Sequence, residues 1–300
     1  MDAGTRGKVF RRRMRFALLG GAMSALAVLP APAAPAGPTQ VDMKLVIATD
    51  VSRSIDDEEA QLQRQGIAEL FLDPGVVKAI QSGPLGVIAV SMLDWAGYRD
   101  QRVVVDWTIV NDAASAAALA EKIRKIPHVP GQRTAISSAI GRSIGMLEVS
   151  DGQIHATRKV IDVSGDGPNN DGVSLQYVHD TTANNGIIVN GLPIMDESSD
   201  SYFPDLDKYY AACVVAGKGS FLVVVKRFKY FGAAMRRKLV LEISQDQSQI
   251  EQTLGELQAN RLLIETAAGG TATAQPQFRP PAKSYPGGCD AYGGWGPGGN

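Results

Sequence analysis

Residues 43–54 read MKLVIATDVSRS, a largely apolar run followed at once by acidic and hydroxyl side chains. The run 43–49 has the length and composition typical of a strand that is covered on both faces. The chain then passes through Asp50, Ser52 and Ser54, which alternate in the following loop. This stretch therefore predicts a buried strand that ends in a polar loop.

Apolar runs alternate with helical patterns along the rest of the chain. A helix capped by Ser54 is predicted after the first strand, and residues 73–75 end it. Further strands are predicted at 85–93, 101–108, 158–164, 187–193 and 220–225, and helices at 113–126, 135–147, 173–185, 206–214 and 231–243. The alternation predicts an α/β fold: a Rossmann-like, doubly wound, mostly parallel sheet with one antiparallel edge strand, 101–108.

Polar residues stand at the ends of these predicted strands and before one helix. Ligands of such sheets bind beyond the carboxyl ends of the strands, so we expect five residues to share one site. They are Asp50, Ser52, Ser54, Thr134 and Asp166. Their carboxylates and hydroxyls suit a hard cation, Mg²⁺, with Mn²⁺ or Ca²⁺ as alternatives. The competing interpretation is that the serines cap a helix and Asp166 forms a turn.

The five residues in this order resemble the metal-ion-dependent adhesion site (MIDAS) of von Willebrand factor A (vWA) domains. The chain is also similar to a bacterial family of exported vWA-like proteins of unknown function, the DUF1194 family, over nearly all of residues 41–244. The stretches that carry the similarity are VDMKLVIATDVSRS, IQSGPLGVIAVSMLDWAG, QRVVVDWTIVNDAASA, GQRTAISSAI, RKVIDVSGDGPNNDG, GIIVNGLPI and MRRKLVLEIS.

The resemblance implies a role for each residue of the site. Ser52 and Ser54 would bind the metal directly, and Thr134 would bind it directly or through water. Asp50 and Asp166 would supply charge and orient bound water. One coordination position would remain for an acidic group of a partner.

Two positions depart from the pattern of the family. Arg53 stands where glycine is often found, and it places a charge beside the predicted metal. Gly165 precedes Asp166 where threonine or serine is common.

The two ends of the chain are predicted to lie outside the vWA-like domain, which is assigned to 37–245. Residues 1–36 join an arginine-rich start, an apolar run and an Ala-x-Ala site near Ala33, which predicts a signal peptide and linker. The protein is therefore expected in the periplasm or secreted, without a stable membrane span after cleavage; an uncleaved anchor is the alternative. A helical extension is predicted at 246–266 and a disordered Gly/Pro-rich tail at 267–300.

The chain contains two cysteines, Cys213 and Cys289. Export would permit a disulfide between them. Cys213 stands beside Tyr209, Tyr210 and Val214, however, and this apolar setting favours a buried thiol. We therefore predict a buried thiol at Cys213 and leave the pairing open.

Composition and site together favour a binding module over an enzyme. The formal net charge of −1 leaves no basic excess to hold nucleic acid. We expect an exported, metal-dependent module that binds a protein or ligand through a carboxylate. The alternatives are a metal-dependent hydrolase, with Asp171 as the nearest candidate base, and a structural scaffold with a vacant site.

Overall fold

The computed structural model describes Met1 and residues 37–199, 202–243, 277–279, 282 and 284–290. The predicted signal segment after Met1 and the predicted helical extension at 246–266 lie outside the described residues. Among the residues that are described, no helix has the length and apolar character needed to cross a bilayer.

In the described part of the chain, seven strands form one sheet in the order β3-β2-β1-β4-β5-β6-β7. The five inner strands are parallel to one another, while β3 and β7 pair antiparallel at the two edges. This confirms the predicted α/β class and the antiparallel edge strand β3. The strands are β1 (Thr39–Asp50), β2 (Ile88–Trp95), β3 (Gln101–Val110), β4 (Ile154–Gly165), β5 (Ile188–Pro193), β6 (Leu222–Val224) and β7 (Gln277–Arg279).

Helices cover both faces of this sheet. Residues of α1, α2, α3 and α7 belong to one buried apolar cluster, and residues of α4, α5 and α6 belong to a second. The helices are α1 (Asp57–Leu72), α2 (Pro74–Gln81), α3 (Ala113–Arg124), α4 (Ile136–Val149), α5 (Leu175–Asn184), α6 (Leu206–Tyr209) and α7 (Phe231–Ile243). A π-helical turn, Tyr210–Val214, continues α6.

The inner strand β1 is buried on both faces, as its composition predicts. Leu45 and Ile47 belong to the cluster on one side of the sheet, and Val46 and Ala48 belong to the cluster on the other. Because successive side chains of a strand point to opposite faces, one apolar run supplies both cores.

The start of α1 differs from the prediction, which made Ser54 the cap. The N-cap is Asp56, whose carboxylate accepts a hydrogen bond from the Glu59 backbone N at 2.8 Å. The Glu59 carboxylate accepts from the Asp56 backbone N at 3.2 Å, which completes a capping box. Ser54 is thereby left outside the cap, and its hydroxyl makes a different contact.

Two further differences concern the C-terminal part of the chain. β7 lies within 267–300, where disorder was predicted; its backbone pairs with β6, an interaction that composition does not reveal. The prediction of a buried thiol at Cys213 is wrong, because Cys213 and Cys289 form a disulfide with Cα atoms 5.4 Å apart. Cys213 is buried, but the returning chain brings Cys289 against it.

Helices α1 and α7 cross at a glycine pair, Gly66 and Gly232. A Cβ added at Gly66 would lie 2.7 Å from the Gly232 Cα, which is backbone and cannot rotate away. Gly66→Ala is therefore expected to lower the free energy of unfolding by about 1–3 kcal/mol, because overpacking outweighs alanine's better helix propensity.

Urea denaturation of the Gly66→Ala variant measures this effect. Gly141→Ala is the matched control, since Gly141 lies within α4 and a Cβ there would meet nothing within 4 Å. The control should gain up to about 1 kcal/mol. Equal responses at the two glycines would contradict the close crossing.

Candidate metal centre

The two predicted carboxylates stand at the same edge of the sheet. Asp50 is the last residue of β1, and Asp166 directly follows Gly165, the last residue of β4. These strands are parallel neighbours, with Thr49 opposite Ser164 in the register. Parallel pairing therefore brings two acidic side chains from distant parts of the sequence to one place.

Hydrogen bonds link four of the five predicted residues in a chain. Asp50 Oδ1 accepts from the Ser52 backbone N at 2.7 Å, and the Ser52 and Ser54 hydroxyl oxygens are 3.0 Å apart. The Ser54 hydroxyl donates to Asp166 Oδ1 at 2.7 Å. The loop after β1 thus turns both serines toward the loop after β4.

The fifth residue, Thr134, lies on a loop that is hydrogen-bonded to the loop after β1 and to the loop after β4. The Gly131 backbone N donates to the Val51 carbonyl at 2.9 Å, which ties this loop to the one after β1. Two hydrogen bonds of 2.8 Å join Asn170 to Thr134. Asn170 Oδ1 accepts from the Thr134 backbone N, and the Asn170 backbone N donates to the Thr134 carbonyl. A Cβ at Gly167 would lie 3.8 Å from Thr134 Oγ1 and 3.9 Å from its Cγ2, so the Thr134 side chain lies against the loop that carries Asp166.

Arg133, the residue before Thr134, has a φ of 70°. This left-handed conformation costs a non-glycine residue about 1–2 kcal/mol. The hydrogen bonds at Gly131 and Thr134 hold the backbone on either side of it. The loop is therefore fixed in a conformation that arginine would not adopt by preference.

The electrostatics of the cluster favour a bound cation. Burial, and next the nearby charge of Asp166, raise the pKa of the Asp50 carboxyl well above its usual value. Asp50 Oδ2 is buried and has no hydrogen-bond partner among the described residues. A hard divalent cation prefers carboxylate and hydroxyl oxygens. Its charge would offset both the burial of the Asp50 carboxylate and the repulsion from Asp166, so the residues present fit such an ion.

No group of three or more His, Cys, Asp or Glu in the described part of the chain is arranged to hold a metal ion. A site of the zinc-finger or carboxylate-cage kind is therefore not found there. The candidate centre is of a different kind, since hydroxyls outnumber carboxylates in its donor set.

Residues 40–247 match the model of a protein family described as a protein of unknown function, DUF1194. The chain belongs to the DUF1194 family. No curated protein matches the sequence.

Solved structures similar to this DUF1194 chain include a vWA protein, a mussel byssus protein and a pilus adhesin. A von Willebrand factor type A protein from Catenulispora acidiphila has 12% identity and a TM-score of 0.50, covering 69% of this chain and 44% of its own. Proximal thread matrix protein 1 from the mussel byssus, with a zinc-occupied MIDAS motif, has 14% identity, a TM-score of 0.48, and coverage of 70% and 49%. The pilus adhesin SpaC from Lactobacillus rhamnosus GG has 12% identity, a TM-score of 0.48, and coverage of 69% and 32%.

These likenesses concern the fold, since the identities are low. The DUF1194 chain has the vWA-type fold, as its sequence predicts. It spans less than half the length of each of the three structures.

Tyr210 is a residue of the site that the sequence did not indicate. Its hydroxyl is buried and has no hydrogen-bond partner among the described residues, and burial, followed by the charge of Asp50, raises its pKa well above 10.0. A Cβ at Gly165 would lie 2.8 Å from both Asp50 Oδ2 and the Tyr210 hydroxyl, and 3.2 Å from the Trp95 ring. Asp50, Tyr210 and Trp95 therefore occupy the space that a side chain at position 165 would need.

Gly165→Ala is expected to lower the free energy of unfolding by about 1–3 kcal/mol, since the new methyl group overpacks Asp50 and Tyr210. Adding Tyr210→Phe should restore part of the loss by removing one of the two closest atoms. Thermal and urea unfolding of the single and double variants measure this coupling. Strictly additive effects would contradict it.

The loop after β4 also fixes two neighbouring segments. Asn169 Oδ1 accepts from the Ser137 backbone N at 3.0 Å, at the start of α4. Asp171 Oδ2 accepts from the Tyr98 backbone N at 3.0 Å, in the turn between β2 and β3. The carboxylate of Asp171, the candidate base of the hydrolase alternative, is thus engaged in holding a turn.

An open cleft of about 630 Å³ adjoins Ser54 and Arg53. The Arg53 side chain is exposed at its mouth, while burial raises the pKa of Glu59 in its wall to about 7. A partner that reaches the candidate centre would therefore pass a positive charge at Arg53.

Proposed function

We propose that this chain is an exported vWA-like binding module that holds a divalent cation, Mg²⁺, and through it grips a carboxylate of a protein or ligand partner. The observation that carries the proposal is the hydrogen-bonded series Asp50–Ser52–Ser54–Asp166, with Asp50 Oδ2 buried and unpartnered among the described residues. Such a buried pair of carboxylates is costly without a cation.

The five residues of the proposed centre would divide three tasks: holding the cation, balancing its charge and orienting water. Ser52, Ser54 and Thr134 would hold the cation through their hydroxyls, and Asp50 and Asp166 would balance its charge and orient water. When bound, the cation supplies an electrophilic position that attracts an anionic oxygen. The loops around it exclude water from Asp50, which is fully buried, and leave Ser54 partly exposed toward the cleft.

Export to the periplasm or beyond is part of the proposal. It is supported by the arginine-rich and apolar order of residues 1–36 and by the Cys213–Cys289 disulfide, since disulfides persist mainly in oxidising compartments. The hydrolase alternative is not part of the proposal; its candidate base, Asp171, accepts a hydrogen bond from the Tyr98 backbone N.

The cation claim is tested by titrating Mg²⁺ into the full chain in a calorimeter. Saturable binding is expected in the wild type, and Ser54→Ala should weaken it by about tenfold or more, as for other groups that hold a metal site. Ser82→Ala is the control, since Ser82 is exposed and its hydroxyl bonds the Ala79 carbonyl. No saturable binding in the wild type would refute the cation claim.

The carboxylate claim needs a second titration, with a short peptide that contains a single aspartate. Binding is expected with Mg²⁺, and it should vanish with a chelator or when asparagine replaces the aspartate. Equal binding of both peptides would refute a carboxylate partner and leave a metal-holding scaffold.

A further inference from the structure

The C-terminal strap, residues 284–290, is covalently fixed beside the candidate metal centre. Its Cys289 forms the disulfide with Cys213, which lies in the π-helical turn three residues after Tyr210. Tyr210 is the residue whose hydroxyl lies with Asp50 Oδ2 around Gly165. The strap is thus covalently bonded, through Cys213, to the same π-helical turn that places Tyr210 at the site.

Tyr209 connects the strap to the loop that carries Asp166. Its hydroxyl donates to the Cys289 carbonyl at 2.9 Å and accepts from the Asn169 backbone N at 3.2 Å. Its ring is fully buried and meets Tyr285 of the strap edge-on, with ring centres 5.2 Å apart. One side chain therefore joins both segments.

A second connection holds the other end of the same loop. The Asp290 carboxylate accepts from the Ser174 hydroxyl at 2.7 Å and from the Leu175 backbone N at 2.8 Å. These residues begin α5, directly after the loop. The strap consequently fixes the loop both at Asn169, three residues beyond Asp166, and at its exit into α5.

We propose that Tyr209 is a positioning residue for the metal centre and that the Cys213–Cys289 disulfide, by holding the strap in place, sets the affinity for the cation. This rests on the proposed cation-binding function. Groups that orient metal ligands typically change metal affinity by about 10–100-fold when they are removed. Reduction of the disulfide leaves the strap held by non-covalent contacts, so the loop gains freedom and Asp166 is held less firmly.

The redox step itself is simple. Two electrons and two protons convert the Sγ–Sγ bond into two thiols. A water-soluble phosphine supplies the electrons, takes the oxygen of water and ends as its oxide. Cys289 is partly exposed, so the reductant reaches the bond.

The test compares the oxidised full chain, the phosphine-reduced chain, and Tyr209→Phe in the oxidised state. Calorimetric titration with Mg²⁺ gives the affinity, and amide hydrogen exchange gives the freedom of residues 165–175. Reduction and Tyr209→Phe should each weaken Mg²⁺ binding about tenfold and speed exchange in this segment. Tyr177→Phe, on an exposed tyrosine of α5, is the control and should change neither.

A double variant, Cys213→Ser with Cys289→Ser, separates the disulfide from other effects of the reductant. It should bind Mg²⁺ as weakly as the reduced wild type and should not respond to phosphine. Unchanged affinity and exchange upon reduction, in a protein that stays folded, would overturn the proposal. If the wild type binds no Mg²⁺, the cation function fails, and exchange in 165–175 alone then decides whether the strap holds the loop.

Discussion

Asp50→Asn is expected to weaken Mg²⁺ binding strongly and to make the cation-free protein more stable. The carboxylate is fully buried, and burial and the charge of Asp166 raise its pKa. Its ionised form therefore opposes folding until a cation is present. Asparagine keeps an oxygen that accepts the Ser52 backbone N–H but removes the charge. Binding should weaken by at least about 100-fold, the upper range for groups that support a metal site.

Calorimetric titration and urea unfolding in chelator measure the two effects. Asp94→Asn is the control, because Asp94 is also buried but pairs with Arg64, Nη2 to Oδ2 at 2.5 Å. That variant should keep Mg²⁺ binding and lose stability, since Arg64 would be left buried without its partner. If Asp50→Asn bound Mg²⁺ as the wild type does, Asp50 would have no place in the proposed centre.

The central fold could be predicted because its signals are local. The run at 43–49 is buried on both faces as predicted, and the alternation of strands and helices gave the α/β class. Where two local signals coincide, one can hide the other: the end of α1 was predicted, but the helix α2 that follows it was not. Asp73-Pro74 reads as the end of a helix, and α1 does end there, but Asp73 also caps the next helix, α2.

The composition of the C-terminal segment was misleading for a different reason. Gly/Pro-rich sequence predicts disorder because its apolar surface cannot offset the entropy of ordering. Part of this segment is held instead by backbone pairing of β7 and by a disulfide to Cys213. Both interactions join residues far apart in the sequence, so the composition of the segment cannot predict them.

The candidate centre could be proposed from sequence because parallel strands carry their following loops to one edge. Asp50 and Asp166 lie at the same edge for this reason, because β1 and β4 are parallel neighbours. Tyr210 gives no comparable signal, since it lies in a π-helical turn 44 residues beyond Asp166 and reaches the site through packing. Asn170 likewise reads as an ordinary turn residue until Thr134 is seen to bond it.

Lys238→Met is expected to lower the free energy of unfolding by about 3–5 kcal/mol, the cost of breaking a buried ion pair by removing one partner. Lys238 is fully buried in α7; its Nζ contacts Asp162 of β4 and lies 2.5 Å from Glu242 Oε1. Asn190 of β5 donates to the same Glu242 oxygen at 2.6 Å. Methionine fills a similar volume, so the loss arises from two carboxylates left without their cation.

The pH dependence of this loss distinguishes stranded charge from poor packing. Burial, then the charge of Asp162, already raise the pKa of Glu242 well above 4.5, while Lys238 lowers it. Removing Lys238 raises the pKa of Glu242 further. The folded variant then binds a proton at Glu242 more tightly than the unfolded chain does, so its free energy of unfolding increases as the pH falls toward 4.5. The deficit of Lys238→Met should therefore be smaller at about pH 5 than at about pH 8, and Glu242→Gln added to it should reduce the deficit at the higher pH. An equal deficit at both values would mean that methionine packs badly and that the buried charges contribute little.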